Sequence, residues 1–588
     1  MPKRGGAVHV TSHRRHYVDK DGVEKTYETH LLRRSWRQDG RVRNETVANL
    51  SHLPAEVIEL ISRSLRGEVF VPAGQAVTVR RSVPHGHVAA VWAQARELGL
   101  PGLLGPACRD RDLALALIIS RVVRPASKLS TLTWWAGGDV SLGTDLGVAD
   151  ACTDEVYAGM DWLLARQDNI EAKLARQHLA AAVNPASMAL FDLSSSWMEG
   201  THCPLAARGY SRDGKKNRTQ IEYGLLTDPA GRPVAIRVFA GNTGDPSAFI
   251  DAVDIVRTRF GLHNMVMVGD RGMITTARID ALREAGGMSW LTCLRAPAIA
   301  KLAADDGPLQ LSLFDQADLA EIAHPDYPGE RLIACRNPAL GEQRAAKRQT
   351  LLAATETVLA PVIAAVTAGR LHGEDQIGLK VGKLINRYKM AKHFDITITD
   401  TSLAITRNQH KIDTEAALDG LYVIRTPVPA DQLNAGDVVV AYKQLAHVER
   451  DFRSMKIDDL DLRPVRHWTE DRVRAHVLIC MLAAYLIWHL RHAWAPLTYT
   501  DEHPPARTNP VAPAKRSADA QRKASRHHDE HDQPLHDFRG LLDHLGTLTR
   551  NDLQYGPDGP VVPTLAEPTD TQRRAFDLIN ASIPLTLT

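Results

Sequence analysis

The spacing of apolar residues changes along the chain, and each change predicts a different kind of element. Near the N-terminus two β-prone runs, 27–32 and 41–50, flank Gln38-Asp39-Gly40. An Asp-Gly pair between such runs predicts a hairpin. From about residue 86 to 183 the period is helical, with predicted helices over 88–98, 110–123, 155–166 and 169–182, and Pro125 closing the second. Residues 187–270 switch to short apolar runs at 188–193, 221–227, 234–239 and 264–268, which predict buried strands. The middle two are separated by the turn composition of Asp228-Pro-Ala-Gly231. A second mixed block, 285–435, ends in a predicted strand at 422–425, and helices resume at Ala441. Residues 496–535, rich in Pro, Ala, His and charge without sustained period, predict a flexible linker.

Composition narrows the class of molecule. A chain of 588 residues exceeds what one hydrophobic core supports, so roughly two to four domains are expected. With 44% hydrophobic and 24% charged residues it is globular rather than disordered or fibrous. The net charge of +2 is uninformative, but residues 1–50 hold eleven Lys or Arg against six Asp or Glu. Such a basic hairpin suits phosphate, or is simply a solvated ribbon. Arg121, Arg124 and Lys128 gather at a helix end and carry the same two readings, phosphate contact or complement to the helix dipole. Six isolated cysteines without a CxxC pair argue against a disulfide framework or zinc ribbon and fit a reducing cytosol. No secretory signal is expected from MPKRGGAVHV. The longest apolar run, 477–490, is shorter than the roughly 20 residues that span a bilayer and predicts a buried helix.

The candidate chemistry is acidic. Asp192 follows Met188-Ala-Leu-Phe191 and Asp270 follows Val266-Met-Val-Gly269, each read as an acid delivered by the end of a buried strand. Two such acids on neighbouring strands can hold a hard divalent cation, or each can be a turn residue or helix cap. A third acid, Glu449, lies in a helical stretch where Tyr442, Leu445, Arg453 and Lys456 fall within about 40° of it at about 100° per residue. Val448, Phe452 and Met455 occupy the adjacent face, as expected for a helix docked on a sheet. The alternative is a surface helix with ordinary Glu–Arg pairing. His527, His528, His531 and His536 suggest either a transition-metal site or a solvated polar segment, and Trp197 either a core residue or a base-stacking ring.

Taken together, Asp192 in FDLSSSW, Asp270 in VGDRGM and the stretch with Tyr442, Glu449 and Lys456 resemble the catalytic motifs of DDE transposases of bacterial insertion sequences. The closest likeness is to the branch with the Tyr-x2-Arg-x3-Glu-x6-Lys signature. Tyr442 to Glu449 and Glu449 to Lys456 are both seven residues, and the Arg position is Leu445. The resemblance covers roughly residues 90–490 and includes Gly209-Tyr-Ser-Arg-Asp-Gly214, Phe239-Ala-Gly-Asn-Thr243 and Arg463-Pro-Val-Arg-His-Trp468. It implies an α/β protein with a ribonuclease H-like core. The 179 residues from Asp270 to Glu449 exceed any loop in a compact domain, so an inserted domain is expected, and the resemblance makes it mainly β. The expected organisation is a basic hairpin region (1–85), a helical DNA-binding region (86–183), the first part of the core (184–284), the insertion (285–435), the second part of the core (436–495), a linker (496–535) and a C-terminal segment (536–588).

The resemblance further implies metal-dependent strand cleavage and strand transfer at the ends of the element. Asp192, Asp270 and Glu449 would hold two Mg²⁺ or Mn²⁺ ions, and Tyr442, Arg453 and Lys456 would contact DNA. The partners would be the terminal inverted repeats and a target DNA, bound by a homodimer in the cytoplasm with no membrane involved. Two rivals share these residues: a nuclease of the same fold that does not join strands, and an inactive DNA-binding descendant. A small-molecule enzyme is disfavoured, since Gly137 to Gly147 lacks the lysine of a phosphate-binding loop.

Overall fold

A computed structural model of the chain describes residues 6–70, 76–179, 187–200, 202–215, 217–304, 307–310, 314–315, 317–506, 509–556 and 558–587. The chain divides into two compact units, residues 1–82 with 551–564 and residues 83–550 with 565–588.

The first unit begins with three antiparallel strands, β1 (Ala7–Val18), β2 (Glu24–Gln38) and β3 (Arg41–Asn49), in that spatial order. The hairpin turn falls on Asp39 and Gly40, at φ 50° and 74°, with Gln38 paired to Arg41, as the Asp-Gly pair predicts. A helix, Ala55–Leu65, and β4 (Val77–Pro84) follow.

The second unit opens with helices, chiefly Gly86–Glu97, Arg109–Val123, Thr153–Leu164 and Gln167–His178, close to the predicted bounds. Residues 180–182 of the last predicted helix, and the expected boundary at 183–184, lie outside the described residues. These helices pack on Glu470–Ala493, whose apolar run is buried as expected. By length and composition this helix and Pro338–Thr367 could each cross a membrane, but the first is a core helix, its most apolar stretch 83% buried. The cations expected to face phosphate turn inward. Arg121 donates to the carbonyls of Leu460 and Ala126, and the Lys128 amine lies 2.9 Å from His476 Nδ1. Arg124 lies over the Trp134 ring.

The unit is built on one mixed sheet. Its first strands are β5 (Met188–Trp197), β6 (Gln220–Thr227) and β7 (Pro233–Ala240), successively antiparallel, then β8 (Met265–Val268) and β9 (Met288–Cys293), both parallel to β5. Met265–Val268 is buried throughout, the pattern of a strand with both sheet faces covered. Three further strands lengthen the same sheet: β10 (Leu319–Ile322), β11 (Arg331–Arg336) and, beyond a small ribbon of β12 (Phe394–Ile398) and β13 (Leu403–Arg407), β14 (Leu421–Thr426). The order is β10-β11-β14-β9-β8-β5-β6-β7. The chain returns to the first unit with β15 (Thr549–Tyr555) and β16 (Val561–Leu565), in the order β16-β15-β4.

Three expectations are corrected here. The block 285–435 is not mainly β: its longest element is the 30-residue helix Pro338–Thr367, against strands of four to six residues. Nor is it separate from the core, because β9, β11 and β14 join the central sheet edge to edge. The described part of 496–535 is packed rather than a free linker. It carries the helix Ala518–Arg526, buries Val511 and Ala520, and gives the Pro510 carbonyl to Lys443 at 2.5 Å. Low periodicity marked a segment whose polar groups are satisfied one by one rather than through a repeating ladder.

Candidate active site

The site lies where β8 stops beside β5. Asp192 is not at the end of its strand, because β5 continues to Trp197 by pairing with β6. On its other side, however, β8 ends at Val268, opposite Leu190. Two residues further along this parallel register, Asp270 comes level with Asp192. Asp270 Oδ1 accepts from the backbone N–H groups of Gly272 (2.9 Å) and Met273 (2.8 Å), which fixes the turn. Glu449 arrives from Leu445–Arg453, whose buried Val448 and Phe452 dock as expected, Phe452 edge-on to Tyr223 of β6 at 5.7 Å.

The electrostatics tie the three acids together. Asp192 is half-buried and its carboxyl is pushed up to about 7, first by burial and then by the negative charges of Asp270 and Glu449. Its bond from the Leu193 N–H at 2.8 Å and the charge of Arg212 oppose the rise without cancelling it. Asp270 and Glu449 are exposed.

The remaining predicted residues separate. The stretch from Tyr442 to Lys456 is not one helix. Ala435–Lys443 and Leu445–Arg453 meet at Gln444, and a wider π turn covers Ser454–Asp458. The common face drawn at 100° per residue therefore does not survive at its two ends. Tyr442 turns toward Cys293, and burial holds its hydroxyl above the usual range. The Lys456 amine is 9% exposed and bonds Asp213 at 3.0 Å, which corrects the expectation of a free phosphate contact. Asp213 is 2% exposed and also receives Arg463 and the Trp197 N–H. Arg453 is exposed and has no ion-pair or hydrogen-bond partner among the described residues. Trp197 is half-buried under two cations, Lys215 at 5.9 Å and Arg218 at 5.6 Å. The histidines of 527–536 do not gather: His527 meets Tyr499, His528 its own backbone, and His536 stacks on His544.

Four charged residues around the acids were not singled out from sequence. Arg212 lies 2.5 Å from Asp245 and 3.5 Å from Glu222, and Asp213 anchors the same loop. Burial pushes Glu222 up to about 7. The loop is held by a close backbone approach, since a Cβ on Gly209 would lie 2.0 Å from the Gly241 carbonyl. That contact accounts for a glycine in each of the two quoted motifs. A lone acid inside the apolar run 221–227 was the available signal for Glu222.

Among the described residues no three His, Cys, Asp or Glu side chains form a closed metal cage. The residues nevertheless fit a hard cation by chemistry and by space. All donors are carboxylate oxygens, and Gly272 leaves open a notch where a Cβ would lie 3.2 and 3.4 Å from the Asp270 oxygens and 3.5 Å from Asp245 Oδ2.

Comparison with known families agrees with this arrangement. The family described as Transposase DDE domain matches residues 194–487, half of the chain, beginning two residues beyond Asp192. The chain belongs to the DDE transposases, enzymes of the polynucleotidyl transferase class that as a family use divalent metal and bind the ends of their own element. A second match, to IS1634 family transposase, N-terminal domain, over residues 18–71, places it in the IS1634 family of bacterial insertion sequences. No curated protein matches the chain.

Proposed function

We propose that the transposase uses a ribonuclease H-like core in which Asp192, Asp270 and Glu449 hold two Mg²⁺ or Mn²⁺ ions and direct cleavage and transfer of the element's ends. The observation that carries this reading is the charge of both other acids felt at Asp192, with the β5–β8 register bringing Asp270 level with it. The order β7-β6-β5-β8-β9, antiparallel for three strands and parallel for two, supports the core assignment. When bound, the metals would activate the attacking oxygen and stabilise the departing one.

The chain's own residues then divide the work. The three carboxylates orient the site. Arg453, exposed and unpaired among the described residues, contacts phosphate. Lys456 and Tyr442 hold the catalytic helix from inside rather than touching DNA. The basic strands β1 to β3 contribute to binding the element's ends, a pair of protomers brings two ends and a target together, and the reaction takes place in the cytoplasm. The test is metal-dependent nicking and strand transfer on a DNA bearing the element's own ends. Glu449→Gln should abolish both while end-binding survives. Full cleavage by that variant would move the third ligand elsewhere.

A further inference from the structure

Asp245 stands at the first position of the helix Asp245–Asp254, outside the three acids. Its Oδ1 is held by Arg212 at 2.5 Å, which leaves Oδ2 turned to the Gly272 notch that Asp270 also lines. The φ of Gly272 is not positive, so the backbone does not require glycine there and what the residue supplies is open space. Behind Arg212 lies Glu222, its side chain 3% exposed. Glu222 Oε2 and Arg212 Nη1 face each other at 3.5 Å, both buried and neither with a hydrogen-bond partner. Buried polar atoms left open in this way are costly and call for a role. The Arg212 backbone cannot drift, because its N–H donates to Ser195 Oγ on β5 at 3.1 Å and the next residue is the anchored Asp213.

We propose that Asp245 is a fourth carboxylate of the divalent-ion site, presented to the Asp270 side across the Gly272 notch, and that Arg212, backed by Glu222, is the positioning residue that turns it there. The inference rests on the three-acid reading above. A carboxylate neutralised on one oxygen and free on the other is oriented without being silenced, as residues around metal ligands commonly are.

The experiment is a calorimetric titration of Mn²⁺ into the full-length protein without DNA. Asp245→Asn and Arg212→Gln should each weaken Mn²⁺ binding about tenfold, in the range for residues that orient metal ligands. Arg212→Lys, which restores the charge without the planar fork, should recover part of the loss. Gly272→Ala changes no charge and should weaken binding by filling the notch. It decides the matter if circular dichroism shows the Asp245 variant unfolded. Asp192→Asn is the reference. If it loses Mn²⁺ while Asp245→Asn and Gly272→Ala bind like wild type, the fourth carboxylate is overturned and the three-acid site stands. If Asp192→Asn binds normally, the three-acid reading falls and this inference with it.

Discussion

Two neighbouring residues of one loop, Arg212 and Asp213, belong to charge clusters of opposite character. Around Asp213 the charges close: a carboxylate 2% exposed receives Lys456, Arg463 and a backbone N–H. Around Asp192 they do not: three carboxylates share a field, Arg212 and Glu222 leave facing atoms unbonded, and Asp192 titrates near neutrality. The first arrangement joins the loop to the catalytic helix and to the segment that follows it. The second is short of positive charge in the protein alone. Satisfied buried charge is scaffold here, and unsatisfied charge marks the place reserved for ligand.

The sharpest way to break this contrast is to open the closed cluster. Asp213→Ala leaves Lys456 and Arg463 without their carboxylate and should cost roughly 3–5 kcal/mol, read from the denaturant midpoint. A loss below about 1 kcal/mol would mean that Asp213 does not hold the loop. Glu449→Gln tests the open cluster. It should reduce cleavage about 10²–10³-fold, the scale for removing one group that stabilises developing charge. Because Glu449 is exposed, its effect on stability should stay within about 0.5 kcal/mol.

A finer test uses pH without divalent cations. Asp192 has its folded pKa raised from the ordinary carboxylate range to about 7, so the folded state holds a proton that the unfolded chain has already released. Its contribution is therefore most favourable below about pH 4 and is lost as pH rises through about 7. Asp192→Asn removes that loss and should stabilise the protein at pH 8 by on the order of 1–2 kcal/mol, with the gain shrinking toward pH 4. A gain independent of pH would detach Asp192 from the shared field. The smallest effect belongs to Arg453→Ala, which should leave stability unchanged and lower the salt slope of DNA binding by about one unit. An unchanged slope would make Arg453 a solvated cation.

The three acids, the docked apolar face of Val448 and Phe452, the Asp-Gly hairpin and most helices of 86–183 were legible because they depend on local rules. Strand runs, helical period and turn chemistry act over a few residues, and family resemblance singled out Asp192, Asp270 and Glu449 from their short motifs. What failed were inferences that carried a local rule too far. The helical wheel placed Tyr442 and Lys456 beside Glu449, but the junction at Gln444 and the π turn at Ser454–Asp458 broke its constant angle.

By itself, then, the sequence determined the kinds of elements, their approximate bounds and the identity of the acids, since each is written in a few adjacent side chains. Only the tertiary structure decided that β8 stops two residues short of Asp192's level, that β9, β11 and β14 share one sheet, and that Lys456 points inward to a buried carboxylate. It alone brought Arg212, Glu222 and Asp245 around the site. These are partnerships between residues far apart in the chain. Pairing register and burial set them, and no local pattern of residues encodes either.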